Sequence, residues 1–290
     1  MSTILITGAT GLLAGTLVPH VKTTGNTVVT LARSGEVDYR IDLANSEVTN
    51  TCLDKIKPDV IINLAGLTNV DLCETQPNLA YLGNVHTVEN LANWLMRNKN
   101  CHLIHISTDH LYDRQGPHKE DLVYLSNFYA FSKYAGELAL SRLPSSILRT
   151  TFFGASHTAG RASFSDWIYR ALSKGDSIQV FSDVMFSPLS MTTLSEMLVR
   201  IIDKKSYGIF NLGSRDGMSK ADFAFAFAEE LSLPTEKMKR VSTSSANFLK
   251  AYRPKDMRMV NEKIESCLGI KTPLLCNEIK LAAGEYRENT

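Results

Sequence analysis

The sequence lacks most of the features that would set it apart from an ordinary globular chain. Cysteine is sparse: Cys52, Cys73, Cys101, Cys267 and Cys276 are scattered over 290 residues without a Cys-x-x-Cys spacing. An odd, dispersed set argues against a disulfide framework and reads as reduced thiols. Charge of one sign is missing too, with 31 Lys+Arg against 30 Asp+Glu, so no electrostatic footprint for nucleic acid or a membrane surface is present. No apolar run approaches transmembrane length, and no signal-peptide pattern precedes the first strand, so the expected compartment is the cytoplasm. The 7 histidines show no metal spacing, and His102 and His105 fall on opposite faces of a strand. No metal site is expected. Internal repeats, low-complexity tracts and flexible linkers are also absent.

What is there begins at once. Thr3-Ile4-Leu5-Ile6-Thr7 reads as a buried strand, turns through Gly8 and Gly11, and continues into a helical pattern from Leu12 and Leu13 to about Lys22. Gly8 allows the tight turn, Gly11 lets the backbone approach a pyrophosphate, and small Ala14 lets helix and strand pack closely. The helix N-terminus then offers N–H groups to a phosphate. The spacing Thr-Gly-x-x-Gly-x-x-Ala fits a nucleotide-binding turn of the short-chain dehydrogenase type.

Further strands are expected at Thr27–Leu31, weakly at Val37–Ile41, then at 58–63, Leu103–Ser107 and Ile147–Thr150. Helices reaching about Ile56, from Asn78 to Arg97 and from Ser126 to Leu143 lie between them. This alternation implies a Rossmann-type, doubly wound parallel α/β sheet, with ligands beyond the carboxyl ends of its strands. Past Thr151 the pattern loosens, with helices expected at Phe164–Ser173, Thr192–Lys204, Lys220–Leu231 and Lys255–Cys267. The expected division is a dinucleotide-binding unit over 1–150, with 190–213 packing back onto it, and an interleaved substrate lobe over 151–189 and 214–290.

Tyr129-Ala130-Phe131-Ser132-Lys133 places a phenol and an ammonium one helical turn apart, on one face. A nearby positive charge is expected to lower the tyrosine pKa from about 10 and make the pair a general acid or base. Ser107-Thr108-Asp109 lies upstream at a strand's carboxyl end, where a hydroxyl could orient a substrate carbonyl. At the end of the second strand Arg33 could pair with a 2′-phosphate, which favours NADP(H) over NAD(H), although Glu36 is close by. Arg253, Lys255 and Arg258 make a basic cluster suited to a diphosphate, or to a solvated face.

Together these stretches resemble the extended short-chain dehydrogenase/reductases, and within them the dTDP-4-dehydrorhamnose reductase group. The likeness runs through the Thr7–Ala14 turn, Asp42-Leu43, 58–66, Ser107-Thr108-Asp109 with Tyr112, and Asn127 ahead of Tyr129–Lys133. It continues through Ala135-Gly136-Glu137, Leu148-Arg149-Thr150, Ser187-Pro188 and Arg253-Pro254. The resemblance implies a nicotinamide-dependent reductase of a keto group on a nucleotide-activated sugar, a 4-keto-6-deoxyhexose. Thr108, Tyr129 and Lys133 would be its catalytic set, with Tyr129 protonating the carbonyl oxygen and Lys133 holding the nicotinamide ribose. The cofactor would meet Gly8, Thr10, Gly11, Leu12, Leu13, Arg33, Asp42, Leu43, Leu64, Ala65 and Gly66. The substrate would meet Thr68, Asp109, Asn127, Thr151, Phe152, Arg253 and Arg258. A homodimer is compatible with this reading.

The chain departs from the group's pattern at Thr151-Phe152-Phe153, at Val184-Met185-Phe186, and at Thr16, where some members carry a magnesium-associated glutamate. The first two changes imply a more apolar, more tolerant sugar pocket. Two other functions compete. A sugar-nucleotide epimerase or dehydratase would share the Tyr-Lys pair, but His110 follows Thr108-Asp109 where dehydratases of the superfamily usually carry Glu. A non-catalytic subunit, resembling the regulatory subunit of methionine adenosyltransferase, would keep the fold for another purpose.

Overall fold

The computed structural model describes residues 1–288. Its first half alternates strand and helix. The strands are β1 (Thr3–Thr7), β2 (Thr27–Ala32), β3 (Tyr39–Arg40), β4 (Val60–Asn63), β5 (His102–Ile106) and β6 (Ser145–Thr150). Between them run α1 (Leu12–Lys22), α2 (Ser46–Ile56), α3 (Val70–Thr75), α4 (Pro77–Tyr81), α5 (Thr87–Arg97) and α6 (Phe128–Leu140). A seventh strand, Gly208–Leu212, joins beside β6, giving the order β3-β2-β1-β4-β5-β6-seventh with every neighbouring pair parallel. Both faces of this sheet are covered, which is why its central strands read as continuous apolar runs. Leu5, Ile61, Leu103 and Ile147 pack under α2, α5 and α6, whereas Ile4, Ile62, Ile104 and Leu148 pack under α1 and the helix Met191–Lys204. The strand order switches direction between β1 and β4, the point at which such sheets hold a ligand crevice beyond their carboxyl ends.

The expected helix over 78–97 is interrupted. α4 and α5 are joined by one wide π-turn, Leu82–His86, in which Asn84 is turned inward and fully buried. Such bulges frequently mark functional sites.

The second half adds short elements around its own apolar core: β7 (Phe152–Phe153), α7 (Phe164–Ser173), β8 (Ile178–Phe181), β9 (Met185–Phe186) and β10 (Leu189–Ser190). Then come α8 (Met191–Lys204), β11 (the seventh strand), β12 (Met218–Ser219), α9 (Lys220–Glu230), β13 (Met238–Val241), α10 (Glu262–Leu268) and α11 (Leu275–Glu288). Phe153, Ile168, Val180, Phe186, Phe223, Phe227 and Ile279 form that core. The alternating run Ala221–Phe227 is helical as expected, with the Ser219 side chain accepting from the Asp222 N–H at its N-cap. The helix expected over 255–267 begins only at Glu262. Residues before it are extended, bridging Met185 to Asp256 and His118 to Met259, and the alternation Met257-Arg258-Met259-Val260 suits that conformation. α11 had no counterpart among the expected helices. No helix among the described residues is long and apolar enough to cross a membrane.

Candidate active site

Gly8 follows β1 at φ +64, in the left-handed region, and a Cβ there would lie 2.7 Å from the Ala65 nitrogen. The glycine therefore lets the first turn close against the end of β4, where Leu64, Ala65 and Gly66 line the same crevice. α1 begins at Leu12 with Gly11 as its N-cap and no side chain capping it, so its first N–H groups remain available for a phosphate. Leu13 is buried in the core and offers the crevice only its backbone. Arg33 comes directly after β2, exposed and with neither a hydrogen bond nor an ion pair among the described residues, while Thr10 packs against Gly35 in the same loop. These residues fit a nicotinamide dinucleotide bearing a 2′-phosphate. Asp42 accepts from the Ala44 N–H at 3.0 Å, and Leu43 is buried among Leu31, Leu53 and Leu91 rather than on the open rim.

α6 carries the candidate chemistry. Its N-cap is Asn127, whose side chain accepts from the Ala130 N–H at 2.8 Å. Lys133 is buried and donates to the Ile106 carbonyl at 2.7 Å, with its Nζ 3.5 Å from His105 Nε2. His105 Nδ1 meets the Asn63 amide at 3.0 Å, and Thr7 Oγ1 donates to Asn63 Oδ1 at 2.6 Å. A polar chain thus runs beneath the crevice across β1, β4 and β5 to the lysine. Burial pushes the Lys133 ammonium down to about 8 and keeps His105 neutral.

Tyr129 is buried, shares a hydrogen bond with Thr108, and meets the His110 ring edge-on at 5.3 Å. Burial raises its pKa, and the Asp109 charge adds to the effect. The lowering expected from Lys133 is therefore not found in the free protein, because the ammonium is engaged at Ile106 and burial dominates. Asp109, also buried, has its carboxyl pushed up to about 7 by burial.

The profile of the RmlD substrate binding domain family matches residues 1–287. The chain belongs to that family. A dTDP-4-dehydrorhamnose reductase of Aggregatibacter actinomycetemcomitans is 31% identical over 242 residues, which cover 79% of each chain. A solved dTDP-4-dehydrorhamnose reductase from Clostridium acetobutylicum shares 27% identity, covers 98% of this chain and 99% of its own, and superposes with a TM-score of 0.88. The relatives also include methionine adenosyltransferase 2 subunit beta of Mus musculus, 25% identical over 93% of this chain and 84% of its own.

Within this RmlD-family chain, several outer residues are engaged differently from the sequence expectation. Arg253 grips Asp71 of α3 through both terminal nitrogens, at 3.0 and 2.7 Å, and Arg258 grips Asp256 at 2.9 and 2.6 Å. Neither guanidinium is a free anion anchor. Asn127 Nδ2 donates to the Tyr252 carbonyl at 3.1 Å, so this side chain ties α6 to the 250s segment. Thr151 is half-buried and passes its carbonyl to the Leu189 N–H, Phe152 packs on the sheet core, and Thr68 is exposed. Val184 and Phe153 are buried in the second core and pack the lobe rather than the sugar pocket expected of them, and Phe186 is buried there too, with its ring under the Lys220 ammonium.

Three residues of this region escaped the sequence reading. Asn84 accepts from the Leu67 N–H at 2.7 Å and donates to Ser132 Oγ at 2.9 Å, fixing the loop after β4 against α6. His105 supports Lys133 as described. Lys220 opens α9 with its Nζ over the Phe164 and Phe186 rings, within electrostatic range of Asp109. A nearby buried pair, Glu137–Arg149 at 2.7 Å, is extended by Ser107 and by Tyr112, whose hydroxyl donates to Asn211 at 2.6 Å.

Proposed function

We propose that this chain is an NAD(P)H-dependent reductase of a keto group on a nucleotide-activated 4-keto-6-deoxy sugar, with NADPH preferred. The observation that carries this is the meeting of Tyr129, Thr108 and buried Lys133 at the carboxyl end of β5, beside the glycine turn after β1. A nicotinamide bound in that crevice supplies the hydride. Thr108 Oγ1 orients the substrate carbonyl, and Tyr129, protonated because it is buried, gives its proton to the carbonyl oxygen as charge develops there. Lys133, rooted on Ile106, holds the cofactor ribose. Gly8 and Gly11 keep side chains away from the phosphates, and Arg33 takes the 2′-phosphate. We place the protein in the cytoplasm, consistent with five unpaired thiols.

The relationship to a methionine adenosyltransferase subunit favours one second reading, a cofactor-binding regulatory subunit. Retention of Thr108, Tyr129 and Lys133 together supports catalysis instead. The deciding experiment mixes purified protein and NADPH with a panel of dTDP- and UDP-linked 4-keto sugars and follows nicotinamide absorbance. Oxidation with at least one of them is expected. NADPH binding without turnover, combined with stable co-purification with a larger enzyme, would select the regulatory reading.

A further inference from the structure

Apart from the exposed Arg33 at the end of β2, the basic side chains that follow the sheet around the candidate site are mostly engaged already. Arg253 pairs with Asp71, Lys255 with Asp183 and Arg258 with Asp256. Lys220 has no such partner: among the described residues its ammonium makes no hydrogen bond and meets no carboxylate within 4.0 Å. Its backbone N–H is fixed on the Val184 carbonyl at 2.9 Å, and its Nζ lies over the Phe164 and Phe186 rings at 5.5 and 5.7 Å. The aromatic floor therefore steers the charge without satisfying its donors.

The ammonium lies within electrostatic range of Asp109 and His110, on the turn that follows Thr108. His110 Nδ1 is buried and has no hydrogen-bond partner among the described residues, although the same ring lies against Tyr129. The Asp109 carboxylate accepts from the Thr108 hydroxyl at 3.3 Å and from N–H groups of its own turn, leaving lone pairs over. Asp109 and His110 thus stand beside the proposed reacting residues Thr108 and Tyr129, with Lys220 within electrostatic range of both, and all three keep unspent hydrogen-bonding capacity. Leaving such groups unpaired when a ligand excludes water is costly, so the ligand has to meet them.

The pattern also restricts the ligand group. Lys220 donates, and Asp109, whose carboxyl is pushed up to about 7, accepts once ionised, with a charge opposite to that of Lys220. An anionic substituent would gain from Lys220 but be repelled by Asp109. A hydroxyl can accept from one and donate to the other. In a 4-keto-6-deoxyhexose the carbons flanking the carbonyl are C5, which carries the methyl group, and C3, which carries a hydroxyl. We infer that Lys220, Asp109 and His110 form a specificity subsite for the sugar 3-hydroxyl. This rests on the proposed reductase function, and it replaces the tolerant apolar pocket expected from Val184–Phe186. A site that bonds a hydroxyl rejects the analogue without it far more strongly than an apolar wall does.

The test compares two dTDP-linked 4-keto-6-deoxyhexoses, identical except for the 3-hydroxyl, with wild type, Lys220→Met and His110→Phe. Wild type should prefer the 3-hydroxy substrate in kcat/KM by at least about 100-fold. Lys220→Met should lose about 10- to 100-fold on that substrate and little on the 3-deoxy one. His110→Phe should shrink the same ratio. Calorimetric affinities of Lys220→Met for NADPH and for dTDP alone should match wild type, which also reports an intact fold. Equal losses on both substrates would overturn the subsite, as would a loss confined to dTDP affinity, which would assign Lys220 to the diphosphate. Wild-type protein that binds NADPH but reduces neither sugar would overturn the reductase reading, and the subsite with it.

Discussion

A reductase's proton donor must reach the reaction protonated, and the surroundings of Tyr129, the proposed donor, keep it so. Burial and the neighbouring Asp109 hold the phenol's pKa up, and its hydrogen bond with Thr108 places the hydroxyl beside a second polar group. Tyr129→Phe keeps the ring packing and removes only the proton. It should lower kcat by about 10²- to 10⁴-fold while NADPH affinity, measured by fluorescence titration, stays unchanged. Retention of most turnover would remove Tyr129 from the proposed role. Lys133 makes a pH prediction of opposite character. Burial lowers its pKa from 10.5 to about 8 in the free protein, so the ammonium is present below that pH and lost above it. If NADPH binds the ammonium form, affinity should be flat below about pH 8 and weaken above it, by up to tenfold per pH unit. Lys133→Arg, which stays charged, should bind with no such pH dependence.

At the level of elements, α6 is placed by the π-turn as much as by its own sequence. A Cβ on Gly136 would stand 2.5 Å from the Asn84 carbonyl oxygen, a backbone atom that cannot rotate away. Gly136→Ala should therefore push α6 off the turn, destabilise the protein by about 1–3 kcal/mol, and lower the thermal midpoint by several degrees. Activity should fall with it, since Tyr129 and Lys133 ride on α6.

The same helix shows what the sequence could reveal. Tyr129, Lys133, Thr108 and the glycine turn were legible because each lies within one element at a spacing set by local geometry. Most strands of the large sheet were legible because burial on both faces makes them continuously apolar. Asn84, His105 and Lys220 were not, because their roles depend on neighbours brought in by the fold. Arg253 and Arg258 looked like a basic cluster for want of knowing that Asp71 and Asp256 stand opposite them. α11 had a usable signal in Leu275, Ile279, Ala282, Ala283 and Tyr286, a helical stripe that is buried. β8 and β13 are as short as β4 but have exposed positions among their four residues, so no continuous apolar run sets them apart from loops.

At the scale of the whole molecule, long-range ion pairs and hydrogen bonds join distant stretches of the chain around the cleft. The Asp71–Arg253 clamp is the most direct. Asp71 on α3 holds the Arg253 guanidinium and also accepts from the backbone N–H groups of Lys250 and Ala251, both at 2.9 Å. Arg253 and the two backbone donors hold the Asp71 carboxyl at about 2, so the clamp stays ionised across the working pH range. Two roles for Arg253 then give different arithmetic. If it works by fixing the 250s segment through Asp71, Asp71→Ala and Arg253→Ala each release the segment. Both should raise KM for the sugar nucleotide by a similar factor and leave NADPH affinity alone, and the double variant should be little worse than either. The coupling energy from such a cycle should be about 1–3 kcal/mol. If Arg253 instead binds the diphosphate itself, Asp71→Ala frees the guanidinium, and Arg253→Ala becomes the more damaging change. The structure favours the first outcome, because a fork already filled by a carboxylate on both terminal nitrogens would have to break that pairing before it could take a phosphate.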